Sequence, residues 1–357
     1  MKSIFTAKGN PSGSFAARGQ ILILTLILIA ILALAAVELL VFLKPRLELS
    51  HQLLRRTALG SAAATGIDYA ATVLTEDLIN NSGIDSLEEA WAREIVYRLD
   101  GISVTVNIED EERKFPIDYL VASTVSDTGA PVRLRPGEID EIKEKTFADT
   151  GKVELKINET SLAAFQELLA KLKIPPGWAK EAVDSLADWI DADDQPRSFG
   201  AEEEYYGIFG YRSRNGLPRT LGELRDVKGF RPEVTEVIFP FLSPFSRQVN
   251  LNTASAEVLE SIFDSDESLP VYFLIQGRPF ESVADGLKLA QIGPKIYNQL
   301  EQRLTVTSSF FSVWSTAVDE SGRRESVYAI LQRDEKKSRI IYWNQISSGS
   351  QPLPGRK

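Results

Sequence analysis

The chain opens on an unbroken apolar block. Residues 20–43 read QILILTLILIAILALAAVELLVFL, with no charge between Ile21 and Val37. A helix rises about 1.5 Å per residue, so some twenty such residues cross a hydrocarbon core about 30 Å thick. Beyond Lys44-Pro45-Arg46 the periodicity stays helical. Leu47, Leu49, Leu53, Leu54, Ala58, Ala62, Ile67, Ala70, Ala71, Leu74 and Leu78 recur near helical spacing, which predicts one buried stripe. Pro45 removes a backbone donor and predicts a kink, and the tract ALGSAAATG (58–66) predicts either close packing or a loosened helix. The Asn80-Asn81-Ser82-Gly83 sequence predicts its end.

Further on the pattern changes twice. Residues 87–99 (LEEAWAREIVYRL) read as a short helix. ISVTVNIEDEERKFPID (102–118) alternates in the manner of a strand or hairpin. Residues 120–156 carry strand-like pieces broken by Asp127-Thr128-Gly129 and Arg135-Pro136-Gly137. Helical spacing returns in SLAAFQELLAKL (161–172), stopped by Pro175-Pro176, then in WAKEAVDSLADWI (178–190) and in two short stretches between Leu221 and Phe241. VNLNTASAEVLESIF (249–263) places Asn252-Thr253 as an N-cap, with Glu257 in the first turns. Residues 305–346 return to strands, and a Gly/Pro/Ser-rich tail follows. The order helix, strands, helical block, strands predicts an α+β body with a large inserted all-helical domain.

Composition narrows the function. The 357 residues are 43% apolar with a net charge of −10, which argues against a broad nucleic-acid footprint. Cysteine is absent, which removes disulfides and thiolate chemistry. The only histidine, His51, lies just past the apolar run, so neither a His-based triad nor a His-rich zinc site is expected. No nucleophile motif or Gly-rich phosphate loop accompanies acid pairs such as Asp188/Asp191. The chain does not read as an enzyme.

One string does carry chemistry. Asp188, Asp191, Asp193, Asp194, Glu202, Glu203 and Glu204 fall within about 17 residues. So many carboxylates repel one another unless a positive charge sits among them. Arg197 is one candidate, and a hard cation with oxygen ligands is another. Calcium tolerates the irregular 6–8-fold shell that a loop supplies, although the spacing is not that of an EF-hand. A plain solvated acidic loop is the remaining alternative. VNLNTASAEVL and LKLAQIGPKIYNQL (287–300) resemble pieces of helix-hairpin-helix units. Their Gly-containing turns with Lys288 and Lys295 would suit a phosphate, but the acidic body opposes DNA binding. Helix caps around Leu251, Val258, Leu259, Ile262, Leu287 and Ile292 are the structural alternative. Trp178, Trp189, Tyr205 and Tyr206 read as packing.

The N-terminus adds direction. Lys2, Lys8 and Arg18 precede the apolar run with no acidic residue, which favours a cytoplasmic N-terminus. A secretory signal has a shorter apolar region ending in small residues. Here the small residue, Gly19, precedes the run, and Arg18-Gly19-Gln20 resembles the type III signal of type IV pilins and type II secretion pseudopilins. Most pilin-like proteins carry Glu as the fifth mature residue. Counted from Gln20 that position is Leu24, a departure typical of the K-type minor pseudopilin. ADWIDADDQPRSFGAEEEYY (187–206), LGELRDVKGFRPEVTEVIFPFLS (221–243), VNLNTASAEVLESI (249–262) and the terminal strands resemble the same family, general secretion pathway protein K, in its order. The likeness covers roughly residues 16–118 and 155–345.

That resemblance implies a pilin-like fold, with a long N-terminal transmembrane helix packed on an antiparallel sheet and a helical domain inserted in it. The implied divisions are a leader (1–19), a transmembrane helix (20–43), a first pilin-like part (44–155), an inserted helical domain (156–304), terminal strands (305–346) and a tail (347–357). It implies cleavage between Gly19 and Gln20 by prepilin peptidase, methylation of Gln20, and calcium near the acidic string, for which Asp191, Asp193, Asp194 and Glu203 are the expected ligands with neighbouring acids as substitutes. It further implies an inner-membrane, single-span protein with a periplasmic body. Such a protein caps the pseudopilus tip with I- and J-type minor pseudopilins above the major pseudopilin and helps start assembly and export. The alternatives are a minor pilin of a type IV pilus or competence machine and a membrane-anchored DNA-binding protein.

Overall fold

The computed structural model describes residues 13–80, 83–125, 131–132, 155–263, 268–334 and 337–347. The chain divides into two compact units, Met1–Ala58 and Leu59–Lys357. Helix α1, Gly13–Asn80, runs through Pro45 and contributes to both. In the first unit every side chain from Leu22 to Ala58 is exposed or nearly so, with Leu59 the first fully buried residue. Leu22–Asn80 is long and apolar enough to cross a membrane. The first twelve residues, most of 120–156 and the residues beyond Ser347 lie outside the described residues.

The second unit is α+β. Five antiparallel strands lie in the order β1 (Ile95–Leu99), β2 (Ile102–Asp110), β3 (Phe310–Val318), β4 (Arg324–Arg333), β5 (Ser338–Ser347). Strand residues alternate between faces, so Val104, Val106 and Ile108 of β2 share a buried face with Phe311, Val313 and Ala317 of β3 and Val327, Ala329 and Leu331 of β4. Leu59, Ala62, Ala63, Ile67, Ala70 and Leu74 of α1 complete that core at helical spacing. The small residues of 58–66 serve close approach. A Cβ on Gly66 would stand 2.1 Å from Ser315 Oγ and 2.9 Å from a Val106 methyl.

The expected helix over 87–99 is instead a 3₁₀ turn at Ala90–Ala92 followed by β1. Ile95, Val96 and Tyr97 favour a pleated surface. Asp100 and Gly101, both at positive φ (49° and 81°), close a two-residue turn into β2 with Leu99 opposite Ile102. An Asp-Gly pair with both residues left-handed is the hairpin turn that matches strand twist.

Residues 111–309 leave the sheet after β2 and return at β3. Among their described residues the α-helices are α2 (Glu159–Lys171), α3 (Pro176–Ile190), α4 (Glu203–Gly207), α5 (Pro232–Ile238), α6 (Ala256–Ile262), α7 (Ser268–Gln276), α8 (Val283–Leu289) and α9 (Pro294–Arg303). Two short parallel pairings, Phe115–Pro116 with Leu242–Ser243 and Val249–Asn250 with Leu304–Thr305, tie this block together. Leu251, Val258, Leu259, Ile262 and Leu287 are buried in its core, and Ile292 packs against it. The hairpin-like segments therefore hold helices together.

The junction between block and sheet is polar and satisfied. Asn250 Nδ2 donates to Ser308 Oγ (2.8 Å), Asp85 O (3.2 Å) and Asp110 Oδ2 (3.3 Å). Thr253 Oγ1 also donates to Asp110. Asn252 and Phe280 exchange two bonds, with Asn252 Nδ2 donating to Phe280 O (3.0 Å) and Phe280 N to Asn252 Oδ1 (2.8 Å). Asn252 and Thr253 are thus spent on this network. The N-cap of α6 is Ser255, whose hydroxyl accepts from Val258 N.

Candidate metal centre

The acidic string begins where α3 ends. Ala179, Ala182, Val183, Leu186, Ala187 and Ile190 recur at helical spacing and are buried, which fixes the helix on the block and aims its C-terminus. Asp191 is the C-cap. A carboxylate there meets the negative end of the helix dipole and its free carbonyls, a place that favours a cation.

Asp188, one turn earlier, is fully buried and organises the loop. Its Oδ2 accepts from Arg197 N at 3.0 Å. Asp184 Oδ2 accepts from Phe199 N (3.1 Å), and Lys228 Nζ donates to the carbonyls of Phe199 (3.1 Å) and Gly200 (2.9 Å). The Arg197 guanidinium turns to Glu159 of α2, with Nη2 2.7 Å from Oε1, and passes 3.7 Å from Asp188. Trp189 and Tyr206 meet edge to face at 5.0 Å beneath the loop.

The loop brings Asp191, Asp193 and Glu202 together, one carboxylate oxygen of each within 4.8 Å of the others. Glu202 is 4% exposed and is the N-cap of α4, yet its side chain does not cap. Both Glu202 oxygens and Asp191 Oδ1 are buried without a hydrogen-bond partner. Burial pushes the Glu202 carboxyl up to about 8, and the charges of Asp188, Asp191, Asp194 and Asp193 add to it. Asp191 rises to about 7, chiefly by burial and then by Asp193 and Asp188. Burial also lifts Asp188, to about 6, against the pull of the Arg197 amide.

Of the four residues expected from sequence, Asp191 and Asp193 stand in this group. Asp194 is exposed and outside it, and Glu203 turns away to Arg212 (3.1 Å). Glu202, rather than Glu203, stands with Asp191 and Asp193. The signal that separates the two is the start of α4, since Glu202 precedes the helix and Glu203 is its first residue. Gly19 and Gln20 lie within α1, and their side chains lie outside the described residues.

A second acidic trio makes a useful contrast. Asp77, Asp85 and Glu89 also come within 4.8 Å. Here Arg333 Nη2 is 2.6 Å from Asp85 Oδ1 and Nη1 is 3.3 Å from Asp77 Oδ2, while Glu89 accepts from the Trp91 indole. That trio contains its own cation. The loop trio has oxygen donors, a helix C-terminus and orphaned buried carboxylate oxygens, which fits a hard divalent ion.

Comparison with known proteins agrees with this architecture. A model of type II secretion system protein K matches residues 141–245, and a second model of the same protein matches residues 249–307. Type II secretion system protein K of Pseudomonas aeruginosa is 28% identical over 351 residues, 94% of this chain and 95% of that one. The chain is thus similar to type II secretion system protein K over nearly its whole length. It is a membrane-anchored minor pseudopilin of that system. The Pectobacterium carotovorum protein K is 23% identical, over 83% of this chain and 87% of the relative. The crystal structure of the GspK–GspI–GspJ complex from enterotoxigenic Escherichia coli contains a chain with the same fold, at a TM-score of 0.64 and 20% identity, covering 84% of this chain and 99% of that one.

Proposed function

We propose that this minor pseudopilin caps the tip of the pseudopilus and stiffens its head with calcium. The observation that carries the tip assignment is the insertion of residues 111–309 between neighbouring strands β2 and β3. A body enlarged by that block suits a terminal position, where no further subunit has to stack on it. Leu24 supports the same position: it offers no carboxylate at the fifth mature place to a subunit stacked above. The I- and J-type minor pseudopilins are the partners, by analogy with the complex that shares the fold. The N-terminus is cytoplasmic and the body periplasmic, in keeping with Lys2, Lys8 and Arg18. Prepilin peptidase removes the leader between Gly19 and Gln20 and methylates Gln20. The role is assembly rather than catalysis.

Asp191, Asp193 and Glu202 would hold the calcium, which supplies a charge that pins the loop between α3 and α4. The test of the tip assignment is stoichiometry. Cross-links placed along α1 should join this protein once per fibre, and the purified body should retain I- and J-type heads. Repeated copies along the shaft, or no retention of either head, contradict it.

A further inference from the structure

The apolar run carries one charged residue, Glu38, which the assembly described above leaves without a role. Its neighbours on the helix face are Leu34 and Ala35 one turn before and Val41 and Phe42 one turn after, all apolar. Among the described residues no ion pair involves Glu38, and its side chain is exposed on the helix.

The chain's own cations are badly placed to reach it. Lys44 lies six residues on, about 120° around the helix axis. Arg46 lies eight residues on, about 12 Å along the axis, and its guanidinium is held 4.0 Å from the Phe42 ring centroid. Water is no nearer. Five residues, about 7–8 Å of rise, separate Glu38 from Leu43 at the end of the run. Helical side chains lean towards the N-terminus, so this carboxylate leans back into the apolar segment. Its stem is also shorter than those of the Lys and Arg side chains that snorkel.

A charge so placed is costly in a bilayer unless it is paired. Lipid tails offer no partner, and lipid phosphates carry the same sign. A parallel second copy would set Glu38 against Glu38 at one depth. We infer that Glu38 is a docking point for a different membrane helix, one that carries a Lys or Arg within or at the edge of its own apolar segment. This rests on reading residues 20–43 as a membrane span.

The test uses the full chain in its own inner membrane with the secretion system present. A photo-reactive residue at Val41, one turn from Glu38, should cross-link one partner whose cross-linked peptide contains a basic residue in or beside its apolar run. Glu38→Gln should lower the yield roughly three- to fifteenfold, the range for interhelical polar contacts in membranes. Glu38→Asp should keep most of it, and Glu38→Lys with the partner's basic residue changed to Glu should restore it. An unchanged yield with Glu38→Gln overturns the inference. So do cross-links to lipid alone, to a second copy, or to a segment with no basic residue. Carbonate extraction separates the two levels: release into the soluble fraction overturns the membrane span as well, whereas retention with an unchanged yield overturns the pairing alone.

Discussion

The Asp188 carboxylate fills the space beside Gly200. A Cβ there would stand 1.8 Å from Asp188 Oδ2 and 2.7 Å from its Cγ, with Asp184 O at 3.1 Å. The same oxygen accepts the Arg197 amide at 3.0 Å. One buried side chain thus packs against both ends of the Arg197–Gly200 turn, which links the two acidic parts of the string. Gly200→Ala should push Asp188 out of place and cost about 1–3 kcal/mol, as overpacked sites do. Chemical denaturation would measure the loss, and calcium should recover little of it. A variant as stable and as responsive to calcium as the parent would show that this contact is dispensable.

Protons and calcium should compete for the loop. In the metal-free chain Glu202 is raised to about 8 and Asp191 to about 7. An acid whose folded pKa lies above its unfolded value makes the folded state bind more protons, so stability falls as pH rises between the two values. Metal-free protein should therefore lose stability from about pH 4.5 to about pH 8. A bound cation removes that loss by favouring the ionised carboxylates, so the calcium increment should grow with pH over the same window. Melting curves from pH 5 to pH 8, with and without calcium, check this. Parallel curves would go against it.

Arg333 joins parts of the chain that are far apart in sequence. It bonds Asp85, Asp77 and the carbonyls of Leu74 and Ser308 while itself buried. Arg333→Met should cost about 3–5 kcal/mol, because it leaves Asp85 charged, buried and unpaired. Adding Asp85→Asn should recover part of that. Denaturant midpoints measure both, and a loss below about 1 kcal/mol for the single variant would mean the pair is solvated.

Gly66 sets how closely α1 sits on the sheet. Gly66→Ala gains about 1 kcal/mol of helix propensity. The added methyl meets Ser315 and Val106 below contact distance, and overpacking of this kind costs about 1–3 kcal/mol. A lower melting temperature is expected. A higher one would show that the helix can lift off without loss.

These features differ in how far they can be read from sequence. Local periodicity gives α2, α3 and the part of α1 from Leu59 on, because each buries a stripe at a spacing of three and four residues, whereas the first half of α1 is legible from its unbroken apolar run. The acidic string is legible as a site because like charges crowd within one loop. Which of its acids converge is not: whether Glu202 or Glu203 faces inward depends on where α4 starts, a difference of one residue. β1 looked helical because Glu88, Glu89 and Ala92 mask Ile95-Val96-Tyr97, although Asp100-Gly101 already marked the hairpin. The Asn252-Thr253 pair satisfies a capping pattern, yet Asp110 and Phe280 claim it. The Asp85–Arg333 pair spans 248 positions and leaves no local trace. Tertiary partners override local preference at each of these points.

Calcium at Asp191, Asp193 and Glu202 is tested most directly by the thermal stability of the body from Leu59 onward in calcium, in magnesium and in chelator. A ligand bound only by the folded state adds about 2.7 kcal/mol at a hundredfold excess over Kd. The melting temperature should rise in calcium, and magnesium should substitute poorly because it demands a tight octahedral shell. Glu202→Gln should erase the calcium increment while leaving the sheet folded. Equal melting temperatures in calcium and in chelator, unmoved by Glu202→Gln, would contradict the metal centre and leave a solvated acidic loop.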